Sequence, residues 1–238
     1  MTMLDIRTVA ETASTNDDVA GLARQGAAEG LWLRAERQTA GRGRQGRAWE
    51  SPAGNLFAST LVRVRPGEPP APTLALVAAV ALAETAEAYG VRALLKWPND
   101  LLVDGAKLSG VLLERADDAV VIGFGVNLAH HPVGLDRAAT SFPALTGSAP
   151  DADQFVHTLA EAFARWLGRW RGEGLAPVRA RWIERAHRIG SALTVHLPDG
   201  ASLDGLFDGL DEGGALRLRL ADGSTHVIHA ADVFLIRD

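Results

Sequence analysis

The 238-residue chain predicts an α+β domain, a mixed sheet with helices, followed by a small β-barrel. Strand-like and helix-like apolar patterns interleave as far as residue 188. Beyond that point the texture changes to five short strands in about fifty residues, separated by turn residues. Hydrophobic residues make up 47% and charged residues 22%, enough for the core of one large domain or of a domain with a small appendage.

Taken in order, residues 5–12 alternate as a short strand. Ser14-Thr15-Asn16-Asp17-Asp18 opens a helix running to about residue 25. Ser14 or Thr15 can cap it, and the two aspartates suit the positive end of its dipole. The same hydroxyls and amide can also serve a polar ligand, although in this segment alone capping is the stronger reading. Residues 31–36 form a strand, 38–49 a loop, 51–55 a turn, and 56–64 a second strand. A proline-rich connection, 66–72, leads to residues 73–89, apolar almost all round, a buried helix ended by Gly90.

Two apolar strands flank Asp104-Gly105, a hairpin signal that puts Lys96 and Lys107 on adjoining strand segments. Residues 119–126 are a buried strand ending at Asn127, in which Gly123 and Gly125 mark a close ligand approach or a bulge. His130 and His131 lack an obvious third metal ligand and read as surface loop, and His226 and His229 are no stronger. In residues 151–171, Phe155, Leu159, Phe163 and Trp166 recur at helical spacing as core, and 177–188 is a second helix. The barrel strands are 192–197, 202–210, 215–220, 225–228 and 233–236, which sets a domain boundary between residues 186 and 187.

Net charge is −5, which opposes non-specific nucleic-acid binding by the whole surface. The absence of cysteine excludes disulfides, thiolate metal sites and thiol catalysis. No apolar signal core opens the chain, and the longest apolar run, near 74–83, is short for a bilayer, so a cytoplasmic protein without membrane contact is expected. Against 22 arginines stand two lysines, Lys96 and Lys107, and four asparagines, Asn16, Asn55, Asn99 and Asn127. Heavy Arg and Ala usage fits a GC-rich coding bias, which explains scarcity but not placement.

The densest signal is Gln38-Thr-Ala-Gly-Arg-Gly-Arg-Gln-Gly-Arg-Ala-Trp49, where Arg42, Arg44 and Arg47 alternate with Gly41, Gly43 and Gly46. Glycine lets backbone approach a ligand, and arginine forks grip phosphate or carboxylate at two points. The other readings of such a run are a solvated basic turn or a nucleic-acid-binding segment. A loop of about fifteen residues between strands is long and suits a lid.

The ordered set Ser-Thr-Asn, Gln-Thr-Ala-Gly-Arg-Gly-Arg-Gln-Gly-Arg, Gly-Asn-Leu, Lys-Trp-Pro-Asn-Asp, Lys-Leu-Ser-Gly-Val-Leu and Gly-Phe-Gly-Val-Asn resembles the biotin–protein ligase family. The match runs through residues 5 to 130, and the terminal strands resemble that family's C-terminal domain. The resemblance implies a catalytic domain related to class II tRNA synthetases, followed by an SH3-like barrel. It also implies a two-step reaction, in which biotin and MgATP give biotinyl-5′-AMP and the biotinyl group passes to a lysine of a biotin carboxyl carrier protein. Some members carry an N-terminal winged helix-turn-helix and repress biotin synthesis. Here the first strand begins within a few residues of Met1, so the ligase-only kind is expected, with no specific DNA binding. The family includes monomers and homodimers. A lipoate–protein ligase, which shares the fold, is the closest rival, and a regulatory or nucleic-acid-binding module the more distant one.

The resemblance also assigns roles. Ser14 and Gln38 are implied contacts of biotin's ureido ring, joined in the biotin set by Thr15, Asn16, Arg42, Gly43, Arg44, Lys107 and Gly110. Gly123 and Gly125 wall the slot. Lys107, Arg42 and Arg44 are the catalytic residues, neutralising carboxylate and phosphate as they meet. The ATP and adenylate set comprises these three with Gly41, Arg47, Trp49, Asn99, Asp100 and Asn127; Trp49 packs on adenine. No protein metal ligand is assigned; Mg²⁺ accompanies ATP, with Asp100 or Asn99 nearest to it. Without ligand the arginines repel one another, so the loop is expected to be mobile and to order over the adenylate.

Overall fold

The structure, a computed structural model, describes residues 4–134 and 137–236. Seven strands form the main sheet: β1 (Asp5–Thr12), β2 (Leu31–Gln38), β3 (Leu56–Arg63), β4 (Leu94–Lys96), β5 (Asp100–Val103), β6 (Ala106–Ala116) and β7 (Ala119–Val126). Their order is β1-β2-β3-β7-β6-β5-β4. Among the described residues only the strands β1 and β2 pair in parallel, and the helix α1 (Thr15–Arg24) makes the crossover between them. Every other neighbouring pair is antiparallel.

The two faces of this sheet are used differently. One packs on α2 (Leu74–Ala88), α4 (Ala152–Glu173) and α5 (Ala176–Arg185). Alternate residues of β7 (Val120, Ile122, Phe124, Val126) point into this core, where Trp32 stacks on Phe124 at 5.4 Å and Phe163 meets both edge-on. Every residue of α2 from Leu76 to Ala83 is buried, which is why its sequence shows no polar face. Ala71–Ala88 is in fact long and apolar enough for a membrane span, longer than the 74–83 run suggested. Two-thirds of that stretch is buried inside the protein, so α2 is a core helix.

On the opposite face α1 covers only one end of the sheet, through Val19 and Ala23 against Leu33, Leu61 and Val121. The remainder, over Gly110, Gly123 and Gly125, is left to loops and forms the floor of a cleft. A short helix, α3 (Phe142–Thr146), follows the loop after β7. α3 was not expected, being too short to show a period of its own. The strand expected before the Asp104-Gly105 turn is divided into β4 and β5, so Lys96 on β4 and Lys107 on β6 are separated by β5 and do not lie on adjoining strands.

Five strands close the chain: β8 (Ala192–His196), β9 (Ser202–Leu210), β10 (Leu216–Arg219), β11 (Thr225–Ile228) and β12 (Asp232–Leu235). They form an antiparallel sheet in the order β11-β10-β9-β8-β12. Its apolar side is continuous with the main core: Leu193, Val195, Phe207 and Val233 share one buried cluster with Leu95, Trp97 and Trp182. β12 thereby lies at the mouth of the cleft, where Lys96 Nζ donates to the Val233 carbonyl at 3.2 Å.

Candidate active site

The cleft holds about 550 Å³ and runs from the N-terminus of α1 to β12. Its deep end is neutral and polar. Ser14 caps α1, its hydroxyl accepting from Asp17 N at 3.4 Å, and Ser14, Thr15 and Asn16 are all buried. Capping and site lining are therefore compatible uses of one triplet. Gln38 Oε1 accepts from Thr15 N at 2.9 Å and from its hydroxyl at 3.1 Å, while Gln38 Nε2 donates to Ser51. Ser59 Oγ lies 2.7 Å from Thr15 Oγ1 and donates to Asn16 Oδ1 at 2.6 Å. Asn16 Nδ2 donates to Glu114 at 2.6 Å. The result is a pre-oriented network of hydroxyls and amides, anchored on the Glu114 carboxylate.

The glycine floor makes room for the protein's own side chains. A Cβ on Gly123 would collide with the Asn16 carboxamide, and one on Gly125 would fall 2.6 Å from the Trp49 ring. At Gly110 it would press on Lys107 Nζ at 3.1 Å. Trp49 thus covers the floor, with Lys107 Nζ 5.3 Å from its ring centroid. The indole Nε1 is buried without a protein partner.

The Gly-Arg loop is a narrow hairpin: Arg42 bridges Ala48, Trp49 N donates to Gly41 O, and Gln45 and Gly46 turn the tip at positive φ. Gly41 lies outside the cleft lining, packed tightly on Ser51, Trp49 O and Gln38, whereas Gly43 lines the cleft. Its arginines are all paired. Arg42 forks onto Asp17 at 2.7 and 2.8 Å and approaches Glu114 at 3.5 Å. The Arg42 hydrogen bonds hold the Asp17 carboxyl below its ordinary value. Arg44 donates to Ala231 O at 3.2 Å, and Arg47 to Asp232 at 3.1 Å. The expected mutual repulsion left out these acids, which arrive from α1, β6 and β12.

At the mouth, Asp100 carries a lysine on each oxygen, Lys107 at 2.6 Å and Lys96 at 3.0 Å. Burial pushes its carboxyl up, but the two ammonium groups outweigh burial and hold it below the usual carboxylate range. With both oxygens taken, Asp100 does not fit a resident metal. Among the described residues no three His, Asp or Glu side chains converge as a metal site. His130 and His131 take part in loop hydrogen bonding instead, the former through its backbone to Asn55, the latter through its ring to Ser141.

Two asparagines brace the site. Asn99 Nδ2 donates to Val111 O and its carbonyl accepts from Val111 N, fixing the irregular β5–β6 pairing. Asn127 Nδ2 reaches Thr140 O at 2.9 Å and Lys107 O at 3.3 Å, fastening the backbone of Lys107 to residues 138–140. The cleft lining includes Ser14, Thr15, Asn16, Gln38, Arg42, Gly43, Arg44, Arg47, Trp49, Asn99, Asp100, Lys107, Gly110, Gly123, Gly125 and Asn127, every candidate except Gly41. Sequence reasoning missed Ser59, Glu114, Arg137 and Asp232. Ser59 had one usable signal, a hydroxyl facing the same way as Gly123, its register partner.

A neutral polar pocket beside a cationic mouth, on this sheet, is the architecture of the biotin/lipoate ligase class. Residues 10–127 match the model described as the Biotin/lipoate A/B protein ligase family, and residues 189–236 match the Biotin protein ligase C terminal domain. The chain is 40% identical to the biotin–[acetyl-CoA-carboxylase] ligase of Paracoccus denitrificans over 95% of its own length and 98% of that protein. It is 36% identical to the Mycobacterium tuberculosis protein of the same name, over 96% of this chain and 88% of that one. The biotin protein ligase of Aquifex aeolicus, solved with biotin and ATP, superposes with a TM-score of 0.87 at 25% identity, covering 99% of this chain and 100% of that one. The chain belongs to the biotin–protein ligase family.

Proposed function

We propose that the protein is an ATP-dependent ligase that joins biotin to a lysine of a biotin carboxyl carrier protein through biotinyl-5′-AMP. The observation that carries this is the charge profile of the cleft. Six cationic side chains (Arg42, Arg44, Arg47, Lys96, Lys107, Arg137) line it with only three carboxylates (Glu50, Asp100, Asp232), while its deep end is neutral. That profile suits a neutral bicyclic urea held at depth, with its carboxylate and a triphosphate meeting at the mouth.

In the first step the biotin carboxylate attacks the α-phosphorus and pyrophosphate leaves. Lys107, Arg42 and Arg44 neutralise the two approaching anions, and Arg47 follows the leaving group. Ser14, Thr15, Asn16, Gln38, Gly43 and Gly110 orient biotin along the floor beside Gly123 and Gly125 as Trp49 swings off Gly125, and Trp49, Asn99, Asp100 and Asn127 border the adenylate, with Gly41 shaping the loop. In the second step the carrier's lysine amine attacks the carbonyl of the mixed anhydride and AMP leaves. The same reading assigns residues 1–186 to the catalytic domain and 187–238 to the C-terminal one, a division that the two family matches support. It has the reaction take place in the cytoplasm with MgATP as substrate and without specific DNA binding or membrane association. Size-exclusion chromatography with and without biotin and ATP distinguishes monomer from homodimer.

Mass spectrometry of a carrier domain incubated with the protein, biotin and MgATP tests the reading. A biotinyl mass on one lysine is expected. Equal labelling from lipoate, or none from biotin, would overturn it.

A further inference from the structure

Asp232 opens β12 and belongs to the C-terminal sheet, yet its side chain, only 17% exposed, faces the Gly-Arg loop. Arg47 donates to it at 3.1 Å, and Arg44 and Arg137 stand at 3.8 and 3.7 Å. The contacts continue on both sides: Ala231 O accepts from Arg44, Val233 O accepts from Lys96, and the Phe234 ring lies 4.4 Å from the Arg137 guanidinium. Aspartate is disfavoured in strands, so the strand itself does not call for it. Burial raises the Asp232 carboxyl, but the hydrogen bond from Arg47 and the charges of Arg47, Arg137 and Arg44 overcome that and keep it ionised. One carboxylate therefore staples two separate cleft segments, the loop and the stretch after β7, to a third element.

We propose that Asp232 is a positioning residue through which the C-terminal sheet holds the Gly-Arg loop closed over the cleft, so that the acyl-adenylate stays inside until an acceptor arrives. The proposal rests on the acyl-adenylate reading above. Asp232 touches no reacting atom; it fixes where Arg44 and Arg47 sit and how often the loop opens. A partly buried carboxylate shared by several guanidiniums offsets loop opening by a modest amount, so its loss allows leakage and leaves the chemistry in place.

The test is biotin-dependent pyrophosphate release without any carrier protein. Wild type is expected to give a burst of about one equivalent and then a slow steady rate set by escape of the intermediate. Asp232→Asn is expected to keep the burst and raise the steady rate about five-fold, while less of the activated biotin reaches an added carrier. Asp232→Glu restores retention at least in part. A steady rate within two-fold of wild type would overturn the proposal, as would a parallel fall in burst, steady rate and transfer, which marks a merely structural role. Should Asp232→Asn fail to fold, Asp232→Ser decides on the same thresholds: about five-fold leakage supports the staple, and a steady rate within two-fold of wild type refutes it. A wild-type protein that releases no pyrophosphate with biotin fails the acyl-adenylate reading itself, a separate outcome.

Discussion

Lys107 shows how much of a site rests on a single side chain. Its ammonium lies between Asp100 and the Trp49 ring, and its backbone is fastened by hydrogen bonds to residues 138 and 140. Removing one preorganised cation from a nucleotidyl transfer costs about 3 kcal/mol. Lys107→Ala is expected to slow biotin-dependent pyrophosphate release about 100-fold, and a near-normal rate would remove it from the catalytic set. The glycines give a sharper contrast. At Gly123 a methyl group strikes Asn16, which Ser59 and Glu114 already hold, so Gly123→Ala should cost about 1–3 kcal/mol in urea unfolding. At Gly43 the nearest atom is 3.6 Å away and φ is negative, so Gly43→Ala should cost less than about 0.5 kcal/mol. Sequence alone marked both positions. It did not distinguish a glycine packed under a neighbour from one in open loop, because that difference lies in a residue a hundred positions distant.

The strand hairpin β5–β6, with β4 beside it, places two lysines on one aspartate, and this sets a pH dependence. The Asp100 carboxyl is held below its ordinary value in the folded chain, so its contribution to stability is present above the unfolded value and lost as pH falls through the folded one. Asp17 and Asp232 are shifted in the same direction. Unfolding free energy should therefore be level in these terms from about pH 5 to 8 and decline below about pH 4. Asp100→Asn should lose about 3 kcal/mol at pH 7, because it leaves two lysines at the mouth without a counter-charge, and should decline less steeply in acid. A steep loss between pH 6 and 8 in wild type would contradict this assignment. The hairpin was legible from Asp104-Gly105 and its apolar flanks. The expected placing of Lys96 and Lys107 on adjoining strands was not right: β5 lies between their strands, and its Asp100 is what joins them.

At the scale of the whole molecule, the sequence made the two-part organisation visible through a change of texture near residue 188. What it concealed is how closely the parts are joined. The terminal strands read as a small barrel of their own, yet their apolar residues continue the main core. Asp17, read as a partner of the α1 dipole, and Glu114 and Asp232, which carried no assignment, balance the loop arginines. Ion pairs spanning up to 188 residues, as from Arg44 to Asp232, leave no local pattern to read.

The lysine pair has a final consequence. A mixed anhydride of biotin and AMP acylates any neutral amine near it, and its maker is the protein most exposed to it. This chain has two lysines, and both are held in ion pairs to Asp100 at the mouth of the cleft. Elsewhere its positive charge is carried by arginine, which does not compete for acyl groups at neutral pH. Intact-mass analysis after prolonged incubation with biotin and MgATP should show no biotinyl-lysine in the wild type, and Asp100→Asn should begin to acquire it. The composition thus amounts to a form of product immunity: the surface offers the reactive intermediate almost no amine except the one that a carrier brings.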